Sequence, residues 1–189
     1  EAPKQQSRWA QEEFGHAELG NSLRSERLVD MAAAVLRSPG GLITEVFSES
    51  GDREGAYKFV ENDRVSVSEI SAAACRAAAL RAKGLPYVFV PEDGSSLSLR
   101  EYEGEAERGV GSVGAYNQKG RGLHVMNSIV IDPLGVPLGT FDQQWWVREE
   151  KRRSHRHQRT LAQKETRHWI AGMLTGTEEW TSVNPDTRL

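Results

Sequence analysis

Apolar positions follow two different rhythms along this chain. In the first part they recur every three or four residues. Within LRSERLVDMAAAVLRS, Leu28, Met31, Ala32 and Val35 stand at i, i+3, i+4 and i+7, which predicts one helical stripe entered through Asn21 as a cap and ended by Ser38-Pro39-Gly40-Gly41. A second helix is expected over residues 52–61, with Ala56 and Phe59 on one side and Glu54 and Lys58 one turn apart. The third opens on the capping-box signature Ser66-Val67-Ser68-Glu69, continues through ISAAACRAAALRAK and stops at Gly84-Leu85-Pro86. Three short helices joined by polar turns thus fill residues 1–84.

After Pro86 the period changes. Tyr87-Val88-Phe89-Val90 is an apolar run ended by Glu92-Asp93, the pattern of a strand buried on both faces. Residues 100–122, rich in Gly and charge, predict an irregular loop. Residues 123–131 and 136–147 read as two strands joined by a type I turn at Asp132-Pro133-Leu134-Gly135. Trp169, Ile170, Met173 and Leu174 then form a helical stripe that fades at Gly176. The fold class is α+β. The order of the second part resembles the opening half of a ribonuclease-H-like fold, with three antiparallel strands and a helix, although on periodicity alone several α/β folds begin this way.

Composition narrows the classes. At 189 residues and 38% apolar the chain is an ordinary globular sequence, and no apolar run approaches the ~20 residues of a bilayer span. The single cysteine, Cys75, excludes an internal disulfide and reads as core on an alanine-rich helix face. The first methionine is Met31, so the natural start is expected upstream of Glu1. The net charge of -3 conceals an asymmetry: residues 151–168 hold seven Lys/Arg against Glu165 alone, a local +6, and the rest sums to -9. Such a run suits phosphates, and equally a solvated loop and helix start.

The chemistry-bearing residues are few. Glu92-Asp93 closes the first apolar run, and an acid at the end of a central strand is a natural Mg²⁺ ligand, or else a cap on the Gly94-Ser95-Ser96 turn. Phosphoryl-transfer sites gather two or three carboxylates around two metal ions, so one aspartate does not suffice. His155 and His157 have no second His/Cys pair at zinc spacing. His124 reads as a buried, hydrogen-bonded histidine. Trp145 and Trp146 read as packing on opposite faces, with stacking on an extruded base as the other use.

Five blocks in order, WAQEEFGHAELGNSLRSERLVDMAA, REGAYKFVENDRVS, VPEDGSSLSL, GSVGAYNQKGRGLHVMNS and DQQWWVR, resemble the amino-terminal half of the Tn5-like transposases of the IS4 group. The resemblance covers about residues 9–180. It implies a cut-and-paste DNA transposase, with residues 1–84 as the helical domain that grips the transposon end and residues 85–189 as an incomplete ribonuclease-H-like catalytic core. Asp93 falls on the family's first catalytic, metal-binding aspartate. The second aspartate motif and the glutamate signature do not occur, and the surroundings of Asp186 match a loop instead, so the chain is expected to stop short of the second ligand. By the same resemblance Arg24 and Arg27, on one helix face, and Thr44, Glu54 and Lys58 face DNA, and Leu23 replaces a family arginine. Glu54 would accept from a cytosine amino group and Lys58 would reach phosphate or guanine, the alternative being surface ion pairs. Lys119 and Arg121 match a basic turn near the active site, where glycines let backbone approach phosphate. Implied as well are Mg²⁺ or Mn²⁺ as cofactor in the complete site, double-stranded transposon-end DNA as partner, a homodimer in the DNA-bridged complex, no membrane, and a bacterial cytoplasmic, nucleoid-associated location.

Two other readings stay open: a stand-alone, non-catalytic DNA-binding or inhibitory protein, and an unrelated metal nuclease completed by local acids such as Glu92 or Glu101. If a fourth strand is missing, residues 87–90 should form an exposed apolar edge.

Overall fold

Helices build the first part of the chain, and the segment before Asn21 contributes one that periodicity does not announce. In the computed structural model, which describes residues 2–99, 110–113, 120–148 and 158–189, α1 (Ala2–Phe14) precedes α2 (Ser22–Arg37), α3 (Ile43–Val46), α4 (Ser50–Val60) and α5 (Val67–Arg81). The three expected helices are present, and α1 and the single turn α3 are additions to them. The α1 sequence is mostly polar, eight of its thirteen residues. It is held by tertiary partners instead: Ala10 packs with Val29 and Ala33 of α2, and the buried Glu13 carboxylate accepts from Arg81 at the far end of α5.

Asn21 caps α2 as expected, its Oδ1 accepting from Arg24 N at 2.9 Å. The buried face of α2 is Leu28, Val29, Ala33 and Ala34, whereas Val35 is 47% exposed. The predicted stripe is therefore rotated, because α2 is contacted from more than one side. Leu28 joins Phe59 and Ala73, while Ala34 joins Phe47 and Ala56. Burying side chains the size of Leu28 and Phe59 stabilises by roughly 1.5–3 kcal/mol each. In α4, Ala56 and Phe59 are the buried pair, as the spacing implies. Ser66 Oγ accepts from Glu69 N at 3.2 Å, completing one arm of the expected capping box before α5. Cys75 is buried on that helix among alanines.

The chain separates into two units, Glu1–Arg81 and Ala82–Leu189. The second is a four-stranded antiparallel sheet with a helix: β1 (Glu92–Leu99), β2 (Gly111–Val113), β3 (Gly120–Ile131), β4 (Pro137–Trp146), a short 3-10 turn (Leu161–Gln163) and α6 (Thr166–Val183). Helices and antiparallel sheet together make the chain α+β. Strand β3 is central, with β1 along one edge and β4 and β2 end to end along the other. The β3–β4 turn forms as predicted: Asp132 Oδ1 accepts from Leu134 N and Val136 N at 2.8 Å, and Gly135 takes φ 87°, which L side chains avoid.

Three expectations change here. First, residues 87–90 are not a strand buried on both faces: Tyr87 and Phe89 make isolated bridges and are 39% and 55% exposed, while the regular ladder starts at Glu92. Phe89 pairs with Ile131 in the same register that pairs Glu92 with Ser128, so the strand is continuous and only its ladder is interrupted, at Pro91, which has no N–H to donate. The two acids therefore begin the regular strand and do not close it. Second, the expected apolar edge is covered at its start. Arg188 runs parallel to Tyr87, with Val88 N donating to Arg188 O at 2.9 Å, and Val88 is buried. Third, α6 continues past Gly176 to Val183, because that glycine is a contact and not a stop: a Cβ there would collide with the Phe141 ring. Trp180, 1% exposed, packs against Phe141 and donates Nε1 to Thr187 O at 3.2 Å. Within residues 100–122, the described pieces 111–113 and 120–122 pair as strands instead of forming loop.

Candidate nucleic-acid interface

The three cations assigned to DNA in the first unit lie on α2 and α4. Arg24 and Arg27, three residues apart, share a face of α2. Arg24 is half-buried and turns back so that Nη1 donates to Leu19 O at 2.6 Å, which fixes the stem of the side chain with one of its five N–H donors. Arg27 reaches across to α4. Its Nη1 is 3.6 Å from Asp52 Oδ1, and its guanidinium rests on Gly55, where a Cβ would sit 2.9 Å from Cζ. Lys58 Nζ is 2.7 Å from Glu54 Oε1, one turn away on α4. That hydrogen bond, reinforced by the lysine's charge, holds the Glu54 carboxyl below its ordinary range.

Of the surface ion pairs set against DNA contact, Glu54–Lys58 is formed, whereas Arg24 bonds the Leu19 carbonyl and the second pair is Arg27–Asp52. They do not exclude DNA contact. Glu54 and Lys58 have side chains 67% and 73% exposed, and exposed pairs are worth about 0–1 kcal/mol in general, little enough for a phosphate to displace. Thr44 is exposed on α3, and Leu23 is 73% exposed beside Arg24, an apolar side chain on an otherwise polar face. Periodicity brought Arg24 to Arg27 and Glu54 to Lys58. The closeness of Asp52 and Gly55 to Arg27 has no such signal, because it depends on how two helices pack.

The second unit places Asp93 within β1, opposite Asn127, which in turn is opposite Gln143. Asp93 is exposed and Oδ1 accepts from Gly94 N at 2.9 Å. Glu92 belongs to the other face. It accepts from the buried Ser128 hydroxyl at 3.1 Å, in a row that ends at the buried Asp142, against which Gly172 of α6 packs. Successive strand residues point to opposite faces, so Asp93 lies on the side of the sheet turned away from α6 and Glu92 cannot share a metal with it. That removes Glu92 from the local-acid nuclease reading, and Glu101 lies outside the described residues.

Among the described residues no group of three His, Cys, Asp or Glu stands together to hold a metal. Asp93 offers one hard oxygen donor of the kind Mg²⁺ takes, and Asp186 sits exposed in the turn after α6. Arg121 is half-buried in β3, opposite Leu99 and Ser112, and donates Nη2 to Val110 O at 2.8 Å. Lys119, His155 and His157 lie outside the described residues, as do Lys151, Arg152, Arg153 and Arg156 of the basic run. His124 is buried and hydrogen-bonded as expected, between Ser96 Oγ at 3.0 Å and Ser112 O at 3.1 Å. Trp146 stacks between it and His168, whose centroids lie 5.4 and 4.2 Å away, whereas Trp145 is on the opposite face and 43% exposed.

No helix among the described residues is long and apolar enough to cross a membrane. Residues 6–65 match a family described as transposase DNA-binding. The match takes in α2, α3 and α4, the elements that carry Arg24, Arg27, Thr44, Glu54 and Lys58, and it supports a transposase that binds DNA.

Proposed function

We propose that the first unit grips the double-stranded ends of a transposon and that the second belongs to a ribonuclease-H-like catalytic core of the Tn5-like, IS4-group kind. The observation that carries the proposal is the transposase DNA-binding match over residues 6–65, on helices whose exposed face presents Arg24, Arg27 and Lys58. For the second unit, support comes from topology: β1, β3 and β4 form an antiparallel meander, α6 follows, and the chain then returns at Arg188 parallel to the start of the first strand. A ribonuclease-H-like sheet is built in that order.

In this reading Arg24, Arg27 and Lys58 neutralise phosphates or meet guanine, Glu54 accepts from a cytosine amino group once Lys58 turns to the DNA, and Thr44 adds a hydroxyl contact. Lys119 and Arg121 serve the DNA near the reacting strand. Asp93 would be one ligand of a Mg²⁺ or Mn²⁺ site, and Mg²⁺ there would supply charge stabilisation for phosphodiester hydrolysis and strand transfer. Such a site needs carboxylates beyond those the described residues gather, and in this reading the complete site works within a DNA-bridged homodimer in the bacterial cytoplasm. Amide chemical-shift mapping on adding a duplex tests the binding face. Perturbations should concentrate on α2 and α4, and a response confined to the second unit would overturn the assignment.

A further inference from the structure

The pairing of Arg27 has a consequence for how tightly DNA is held. The guanidinium lies on the bare backbone of Gly55, with a would-be Cβ 2.9–3.1 Å from Cζ, Nη2 and Nη1, so α4 sets the plane of the Arg27 fork. Asp52 stands beside that fork at 3.6 Å, outside hydrogen-bond distance, and its side chain is 63% exposed against 36% for Arg27. The carboxylate thus balances the charge without occupying the donors, and it is the more exposed member of the pair. Two negative groups cannot both hold one guanidinium at close range without repelling each other.

We infer that Asp52 is an affinity-setting residue, an internal anion that competes with DNA phosphate for Arg27 while Gly55 keeps the guanidinium in place. The inference rests on the reading of α2 and α4 as the DNA-binding face. Binding exchanges the carboxylate for a phosphate and leaves Asp52 as a negative charge next to the duplex, which lowers the effective number of phosphates neutralised. Because phosphate carries no base identity, the effect is uniform across sequences.

The test uses the full chain and a mixed-sequence duplex, with affinity measured against salt concentration. Asp52→Asn should tighten binding about 3- to 10-fold near 0.1 M salt and steepen the log–log salt slope by roughly 0.9, the increment of one phosphate contact. In an Arg27→Ala background the same change should gain less than about twofold, since no guanidinium remains to be competed for. Gly55→Ala should weaken binding by displacing the fork, with circular dichroism confirming that α4 is intact. An unchanged or weaker Asp52→Asn complex overturns the inference, and so does an equal gain in both backgrounds, which would reveal only general repulsion. Wild-type chain that fails to bind duplex takes down the DNA-binding reading as well, whereas binding that Arg27→Ala weakens and Asp52→Asn leaves alone takes down this inference by itself.

Discussion

The two units solve the placement of functional charge in different ways. In the first, charged side chains project from helices, where spacing brings Arg24 to Arg27 and Lys58 to Glu54 while helix packing brings Asp52 to Arg27, and each of the three cations has a partner: the carbonyl of the buried Leu19 for Arg24, Asp52 for Arg27 and Glu54 for Lys58. In the second, neighbours in sequence are separated by the pleat, so Glu92 turns to Ser128 beneath α6 while Asp93 faces the opposite side. A helical face assembles charge from local sequence. A sheet assembles it from strands far apart, and the only carboxylate facing the Asn127–Gln143 row from β1 is Asp93.

If the units are as independent as this contrast implies, damage to one core should leave the other folded. Trp180→Ala has the largest expected effect, about 3–5 kcal/mol lost from the second unit, because it removes a fully buried indole from under Phe141. Thermal unfolding followed by circular dichroism should show the first unit's helices melting unchanged. A single shifted transition for the whole chain would break the contrast. Next is Arg81→Ala, which strands the buried Glu13 carboxylate and should cost the first unit about 3 kcal/mol. Adding Glu13→Gln should recover part of that loss, because the buried charge disappears, and no recovery would mean that the arginine acts by packing alone.

The smallest effect is at the surface. Glu54 is held below its ordinary range by Lys58, so whatever the pair contributes to stability is present above about pH 4.3, the unfolded carboxyl value, and is lost as pH falls through the lower folded value. Glu54→Gln should leave the melting temperature at pH 7 unchanged within error and flatten the acid limb of the stability profile slightly. A large change at pH 7 would give Glu54 a structural role that its exposure does not support.

These contrasts also govern what the sequence reveals. Helix spacing identified the Arg24–Arg27 face and the Glu54–Lys58 pair, and turn chemistry identified Asp132 to Gly135. What stayed hidden depends on contacts across the chain. The polar α1 is anchored through Glu13 to a residue 68 positions away, and a serine-rich segment forms β1 because β3 offers it a ladder. Gly176 resembles a helix stop until the Phe141 ring that needs its missing side chain is known. The position of Asp93 is hidden for the same reason: the apolar run before Pro91 has the pattern of a whole strand and is only its beginning.

We propose that α2 and α4 of the first unit bind duplex DNA through Arg24, Arg27 and Lys58. The most direct test compares the salt dependence of duplex affinity for the wild-type chain with that of the triple variant Arg24→Ala, Arg27→Ala, Lys58→Ala. If all three meet phosphates, the slope of log affinity against log salt should shrink by roughly 1.8 to 2.7, two to three increments of about 0.9 according to how far Asp52 already offsets Arg27, and affinity should fall with it. Equal slopes and equal affinities in the two proteins would contradict the account.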